Sequence, residues 1–175
     1  IHLNGLPANM SEIMKISKKY KIKVVEDSAQ AILSKIDNKY AGTIGHIGCF
    51  SMHPTKNLGV AGDGGFIVTN NKIFFDKMKL ISNHGMDKKG QSIMPGRNSR
   101  LDGIQAELIL HKIKYLKKDI QRMRKISELY SKELINYVGT PKIKNNSNVV
   151  HTYHRYVIIL KNKKERNNIK NYLSV

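Results

Sequence analysis

The passage from a helix into a short strand with a polar end, near the N-terminus, constrains the fold of this chain most. Asn9 followed by Glu12 has the spacing of an N-cap and its reciprocal partner. Met10, Ile13, Met14 and Ile16 then recur at helical spacing up to Lys18-Lys19-Tyr20. Ile22, Val24 and Val25 form a β-branched run that ends in Glu26-Asp27-Ser28. Open α/β sheets keep their ligand sites beyond the C-terminal ends of their strands, so Asp27 stands out by position. The opening segment, Ile1 to Pro7, reads as extended.

Alternation continues downstream. Ile47, Cys49 and Phe50 predict a buried strand and Phe66-Ile67-Val68-Thr69 another, separated by a loop with Gly59, Gly62, Gly64 and Gly65 that carries Lys56. A helix is expected from Lys72 to about Ser82, with Phe75, Met78 and Ile81 on one side, before a glycine-containing connection from Gly85 to Gly96. From Asp102 the stripe Ile104, Leu108, Ile109, Ile113 and Leu116 resumes through Met123, Ile126, Leu129, Tyr130 and Leu134, which fits two helices or one long bent one. Gly139, Pro141 and the Lys142 to Asn148 stretch read as a break and surface loop. Tyr156 to Leu160 then reads as a strand and Lys163 to Leu173 as a helix. One strand and one short helix cannot close a core of their own. The expected division is therefore residues 1–122 as part of a large domain and 123–175 as a connecting helix and the beginning of a second domain, in a fragment of a longer protein.

Composition narrows the function classes. With 40% hydrophobic residues in 175, the chain can bury a core. The single cysteine, Cys49, leaves no internal disulfide and no Cys-based metal site, as expected for a reducing cytoplasm. No apolar run approaches the ~18 residues that cross a bilayer, so no membrane association is expected. The net charge of +18 invites a nucleic-acid reading. Its lysines are scattered along helical faces, as at Lys112, Lys114, Lys117 and Lys118, without a recognisable nucleic-acid motif, so no nucleic-acid partner is expected. A milder reading is that excess positive charge concentrates an anionic small substrate. No His/Asp/Glu cluster has metal-ligand spacing, and no metal is expected.

The glycine-rich loop around Lys56 matches no phosphate-loop pattern. A Walker loop places glycine immediately before its lysine and Ser/Thr after it, whereas Thr55 and Asn57 flank Lys56. The glycines at 59, 62, 64 and 65 also miss Gly-x-Gly-x-x-Gly. Taken alone, Lys56 reads as a solvated amine, because reactive lysines need burial or cationic neighbours.

Several motifs in order change that reading. Glu26-Asp27-Ser28-Ala29-Gln30-Ala31, Phe50-Ser51-Met52-His53-Pro54-Thr55-Lys56-Asn57-Leu58-Gly59 and Gly62-Asp63-Gly64-Gly65 are followed by Asn83-His84-Gly85 and Gly96-Arg97-Asn98-Ser99-Arg100-Leu101-Asp102-Gly103-Ile104-Gln105-Ala106. With a weaker echo at Tyr153-His154-Arg155-Tyr156-Val157, the chain resembles the DegT/DnrJ family of sugar aminotransferases over nearly its whole length.

The resemblance implies an α/β fold: part of the large pyridoxal-phosphate-binding domain of the aspartate-aminotransferase-like class, plus the start of a small C-terminal α/β domain. It implies that Lys56 binds pyridoxal 5'-phosphate covalently, that Asp27 pairs with the pyridine nitrogen and that Gln30 lies near the phenolic oxygen. Ser51 would bind the cofactor phosphate, and Asn98 a phosphate in the neighbouring subunit of a homodimer. The implied reaction moves an amino group from a donor such as glutamate to a nucleotide-linked keto sugar, for amino-sugar and surface-polysaccharide biosynthesis. A sugar dehydratase of the same fold would carry histidine in place of Lys56, and a noncatalytic regulatory member remains an alternative. Tyr153, His154 and Arg155 either approach the substrate or simply alternate along a strand.

Overall fold

A computed structural model describes residues 1–143 and 148–174. In chain order the elements are a 3₁₀ turn (Leu3–Gly5), α1 (Met10–Tyr20), β1 (Val25–Asp27), β2 (Lys35–Ile36), β3 (Lys39–Tyr40), β4 (Ile47–Ser51), β5 (Gly65–Val68), α2 (Lys72–Ile81), α3 (Gly103–Lys112), α4 (Leu116–Leu134), β6 (Val149–Val150) and α5 (Lys163–Leu173). The mixed α/β character expected from the sequence is present.

Helix α1 forms where its cap predicts. Asn9 Oδ1 accepts the Glu12 N–H at 3.3 Å, but the Glu12 carboxylate turns to Lys15 Nζ at 2.8 Å, so only half of the reciprocal cap is made. Lys21 closes the helix in the left-handed region, and the Ser17 hydroxyl donates to Ile22 O at 2.7 Å, turning the chain toward β1.

Strands β1, β4 and β5 form one sheet in the order β1-β4-β5. β1 and β4 run parallel, with Val25 opposite Ile47 and Asp27 opposite Cys49. β5 returns antiparallel, with Gly65 opposite Ser51. A second, antiparallel sheet has the order β3-β2-β6. Its β2–β3 hairpin turns through Asp37 (φ 49) and Asn38 (φ 62), two consecutive left-handed residues that suit a tight two-residue hairpin.

Glu26, 2% exposed, joins these parts. Its carboxylate accepts from His2 Nε2 at 2.8 Å, from the backbone N–H groups of Gly42 at 2.8 Å and Ile44 at 2.7 Å, and from that of Gly45. His2 Nδ1 accepts the Ala8 N–H at 3.0 Å, so the ring proton that reaches Glu26 is on Nε2. Burial alone would raise the Glu26 pKa, but the bonds from His2, Gly45, Gly42 and Ile44 outweigh it and hold the carboxyl below its ordinary value. Gly42 stands at φ +85 with its missing Cβ position against the Phe50 ring, so only glycine closes this turn over Glu26.

An apolar core cluster forms where Leu58, Leu116 and Ile120 pack with Ile32, Leu33 and Ile109. The long apolar stripe resolves into two helices, α3 and α4, that meet at an elbow over residues 113–115. Only part of that stripe is covered: Leu116 is buried, while Ile104 is 73% and Leu129 61% exposed.

Two expectations are corrected. The opening segment is not extended: Asn4 (φ 58) and Gly5 (φ 95) curl it into a turn that meets Thr152. Tyr156 to Leu160 forms no strand, because only Ile159 finds a partner, exchanging backbone hydrogen bonds of 2.8 Å with Gly139. The strand in this region is β6, pairing Val150 with Lys35 and Val149 with Ile36. Of the Lys/Asn-rich loop, residues 144–147 lie outside the described residues. The expected division at 122–123 falls inside α4.

Replacing Glu26 with glutamine keeps the shape but turns an amide N–H₂ toward buried donors. Glu26→Gln should destabilise the intact protein by about 3 kcal/mol, read from urea unfolding at neutral pH. Because the folded carboxyl has the lower pKa, its contribution is present above about pH 4.5 and is lost as pH falls through the folded value.

Candidate active site

Parallel pairing of β1 with β4 puts the last residues of both strands at one edge of the sheet, so Asp27 and Ser51 share that edge. Antiparallel β5 begins there too, at Gly65. Asp27 ends β1 exposed, with Oδ1 accepting the Ala29 N–H at 3.0 Å. The turn it opens is fixed by the Ser28 N–H donating to Cys49 O at 2.8 Å and the Ala31 N–H to Ser28 O at 3.0 Å. Gln30 follows, half-buried, and its Oε1 accepts the Asn4 N–H at 2.7 Å. A backbone N–H needs an acceptor, so the amide is oriented with its NH₂ group as the donor left for a ligand.

Beyond Ser51 the chain makes a closed loop. Ser51 Oγ accepts the His53 N–H at 3.2 Å, and the Lys56 N–H donates to His53 O at 2.9 Å. Met52 N–H donates to Gly64 O at 2.7 Å and Val60 N–H to Met52 O at 2.8 Å, tying both ends of the loop to the start of β5. The elbow of α3 and α4 holds it from outside: Lys112 Nζ donates to Gly59 O at 2.6 Å, Gln105 Oε1 accepts the Ala61 N–H at 3.0 Å, and Leu58 enters the core. Lys56, half-buried, borders a cavity of about 880 Å³ lined also by Tyr115, Lys118, Arg122 and Lys125, with Asp119 as the only carboxylate lining it among the described residues. That wall is electropositive and suits an anion. Asp27, Gln30 and Ser51 do not line it.

Residues 149–155 cross beside this loop. Asn57 Nδ2 donates to Thr152 O at 3.3 Å, and the Thr152 N–H to Gly5 O at 3.0 Å. His151 is buried, and its ring stacks on Tyr153 at 3.9 Å with an interplanar angle of 4°. Burial pushes the His151 pKa down to about 4, Arg124 adds to the fall, and a bond to the Gly5 backbone opposes it. His154 is also held below its ordinary value, first by burial, then by Lys56 and Arg155. Rather than alternating along a strand, as the sequence allowed, Tyr153 takes φ 47 and the chain bends at His154-Arg155.

Asn98 stands apart. It is exposed, bridges Asn83, and its Oδ1 accepts from Arg100 Nε at 3.1 Å. Among the described residues no hydrogen bond links it to Lys56, Asp27, Gln30 or Ser51. Sequence reasoning missed the His2–Glu26 pair and the Asp37-Asn38 hairpin, although Asp-Asn between β-forming residues is a legible turn signal. No group of three metal-ligating side chains occurs among the described residues, and no helix is long and apolar enough to cross a membrane.

The fold is that of the pyridoxal-phosphate aminotransferases. The chain belongs to the DegT/DnrJ/EryC1/StrS aminotransferase family, whose sequence model matches residues 1–174. It is 38% identical over 90% of its length to the pleiotropic regulatory protein of Geobacillus stearothermophilus, spanning 43% of that protein. It is 37% identical over 99% of its length to the dTDP-3-amino-3,6-dideoxy-alpha-D-galactopyranose transaminase of Aneurinibacillus thermoaerophilus, spanning 47%. The crystal structure of NtdA from Bacillus subtilis with bound cofactor PMP superposes on 97% of the chain and 39% of that protein, with a TM-score of 0.83 and 31% identity. The chain therefore spans about half the length of the curated relatives it matches.

His151 gives a pH signature. With a folded pKa near 4 against 6.5, the unfolded chain takes up the proton first, so the stability present above pH 6.5 is lost as pH falls toward 4. In His151→Gln, urea midpoints measured from pH 7 to 4 should fall less steeply than in wild type. His154 keeps part of the slope.

Proposed function

We propose that the protein containing this chain transfers an amino group from an amino acid, glutamate, to the keto carbon of a nucleotide-linked sugar, using pyridoxal phosphate. The observation that carries this reading is the convergence of Asp27 and Ser51 at one edge of a parallel strand pair, with Lys56 on the loop that leaves Ser51. The donor set fits the cofactor: a carboxylate for a protonated ring nitrogen, an amide N–H₂ for the phenolic oxygen, a hydroxyl for the phosphate and a primary amine for the aldehyde.

When bound, pyridoxal phosphate supplies an electron-accepting ring and an aldehyde that carries the amino group. Asp27 keeps a proton on the ring nitrogen, which makes that ring a deeper sink for charge. Gln30, its Oε1 taken by Asn4, donates from Nε2 without adding charge. Lys56 anchors the cofactor and moves a proton to and from the substrate carbon. The basic wall of Lys118, Arg122 and Lys125 favours the anionic nucleotide portion of the substrate. Asn98, which makes no hydrogen bond to Lys56 among the described residues, serves the cofactor phosphate of a second subunit in a homodimer. Residues 1–122 belong to the large domain, and 123–175 comprise a connecting helix and the beginning of the small one. The names of relatives such as the transaminase of Aneurinibacillus thermoaerophilus support the sugar substrate, and a cytoplasmic role in amino-sugar formation for surface polysaccharide follows from the same reading.

The test is chemical. Borohydride reduction of the intact, cofactor-loaded protein followed by peptide mass spectrometry should place the cofactor on Lys56, and Lys56→Ala should abolish the label. Label at another lysine, or none in wild type, overturns the reading and leaves the noncatalytic alternative. Asp27→Ala should retain the label while kcat falls by roughly 10²-fold or more.

A further inference from the structure

His154 carries a ring nitrogen, Nε2, that is shut off from solvent and has no hydrogen-bond partner among the described residues. Leaving a buried nitrogen unpaired destabilises the fold. The backbone that puts it there is strained as well, because Tyr153 stands at φ 47, in the left-handed region that a bulky L-residue rarely adopts. Strain and an orphaned polar atom in one short turn mark a place held for a purpose other than packing.

The turn is held from both sides. Thr152 donates from N and Oγ1 to Gly5 O at 3.0 and 3.5 Å, and the Arg155 N–H donates to Asn4 O at 3.4 Å. Gly5 stands at φ +95, and a Cβ there would come within 2.8 Å of Thr152 Oγ1 and 2.9 Å of Tyr153 N, so the two segments are in closest approach. On the other side Asn57, next to Lys56 in the chain, donates to Thr152 O at 3.3 Å. Lys56 and His154 are therefore fixed on two segments bonded to each other. The charged groups around the turn are Lys56 from the β4–β5 loop, Arg155 from the turn itself, and Arg124 and Glu128 from α4 facing its Tyr153 end. Burial and the two neighbouring cations keep the imidazole neutral, and a neutral imidazole offers one lone pair. A lysine ammonium offers only donors.

We propose that His154 is a positioning residue for Lys56: its neutral imidazole accepts a hydrogen bond from the lysine amine and holds that amine whenever it is not attached to the cofactor. The proposal rests on Lys56 being the cofactor lysine. It gives the orphaned nitrogen a donor carried on a neighbouring segment. It also explains why the turn is bonded to Asn57.

The measurement is the pH dependence of Lys56 acylation in the intact, cofactor-free protein, read by peptide mass spectrometry, in wild type, His154→Phe and His154→Gln. Removing an acceptor disfavours the ammonium, so the half-reaction pH in His154→Phe should fall by roughly half a unit or more, and the amide oxygen of His154→Gln should restore part of it. An unchanged or higher midpoint in His154→Phe, with only the melting temperature lowered, makes His154 a structural group and overturns the proposal. Should the phenylalanine variant not fold, His154→Ala is read the same way. Borohydride labelling separates the two readings: label at Lys56 in wild type and in His154→Phe upholds the cofactor lysine whatever the acylation midpoint does.

Discussion

The carboxylate of Glu26 is the contact on which the rest of this structure depends. It sits in the middle of β1, where a buried charge is tolerated only because four donors surround it: one from His2 and three from the turn that leads into β4. One side chain thereby fixes where the N-terminal segment crosses β1, how the chain turns at Gly42, and where β4 begins. The register that sets Asp27 opposite Cys49 follows from that placement.

From the register comes the geometry at the sheet edge. Parallel pairing is what makes the ends of β1 and β4 neighbours, and it needs a long crossover, here the segment containing the β2–β3 hairpin. The loop after β4 departs from that edge and is closed on itself by Met52, Val60 and Gly64. Its outer wall is the α3–α4 elbow. The loop that carries Lys56 is therefore held by strands on one side and by helices on the other.

The same loop touches a third element. Asn57 reaches the 149–155 segment, which in turn bonds to Gly5 and, through β6, to the hairpin. Hydrogen bonds thus tie Asn4 to Gln30 and Arg155, and the adjacent Gly5 to Thr152, which accepts from Asn57. The protonation of His151, buried beside Thr152, opposes folding.

Local signals in the sequence determined the elements that depend on neighbours in the chain. Asn9, Asn71 and Asn162 cap α1, α2 and α5 because a side-chain oxygen three residues upstream of a backbone N–H is a local relation. The carboxylate at the end of β1 and the lysine in the glycine-rich loop were legible for the same reason, and ordered motifs tied them to one family. Tertiary structure decided what pairs with what. Val149–Val150 became a strand and Tyr156–Leu160 did not, because a strand exists only where another offers its ladder, and β2 meets the former alone. The His2–Glu26 pair, the left-handed Tyr153 and the orphaned nitrogen of His154 arise from contacts between residues far apart in the chain, which no local pattern encodes.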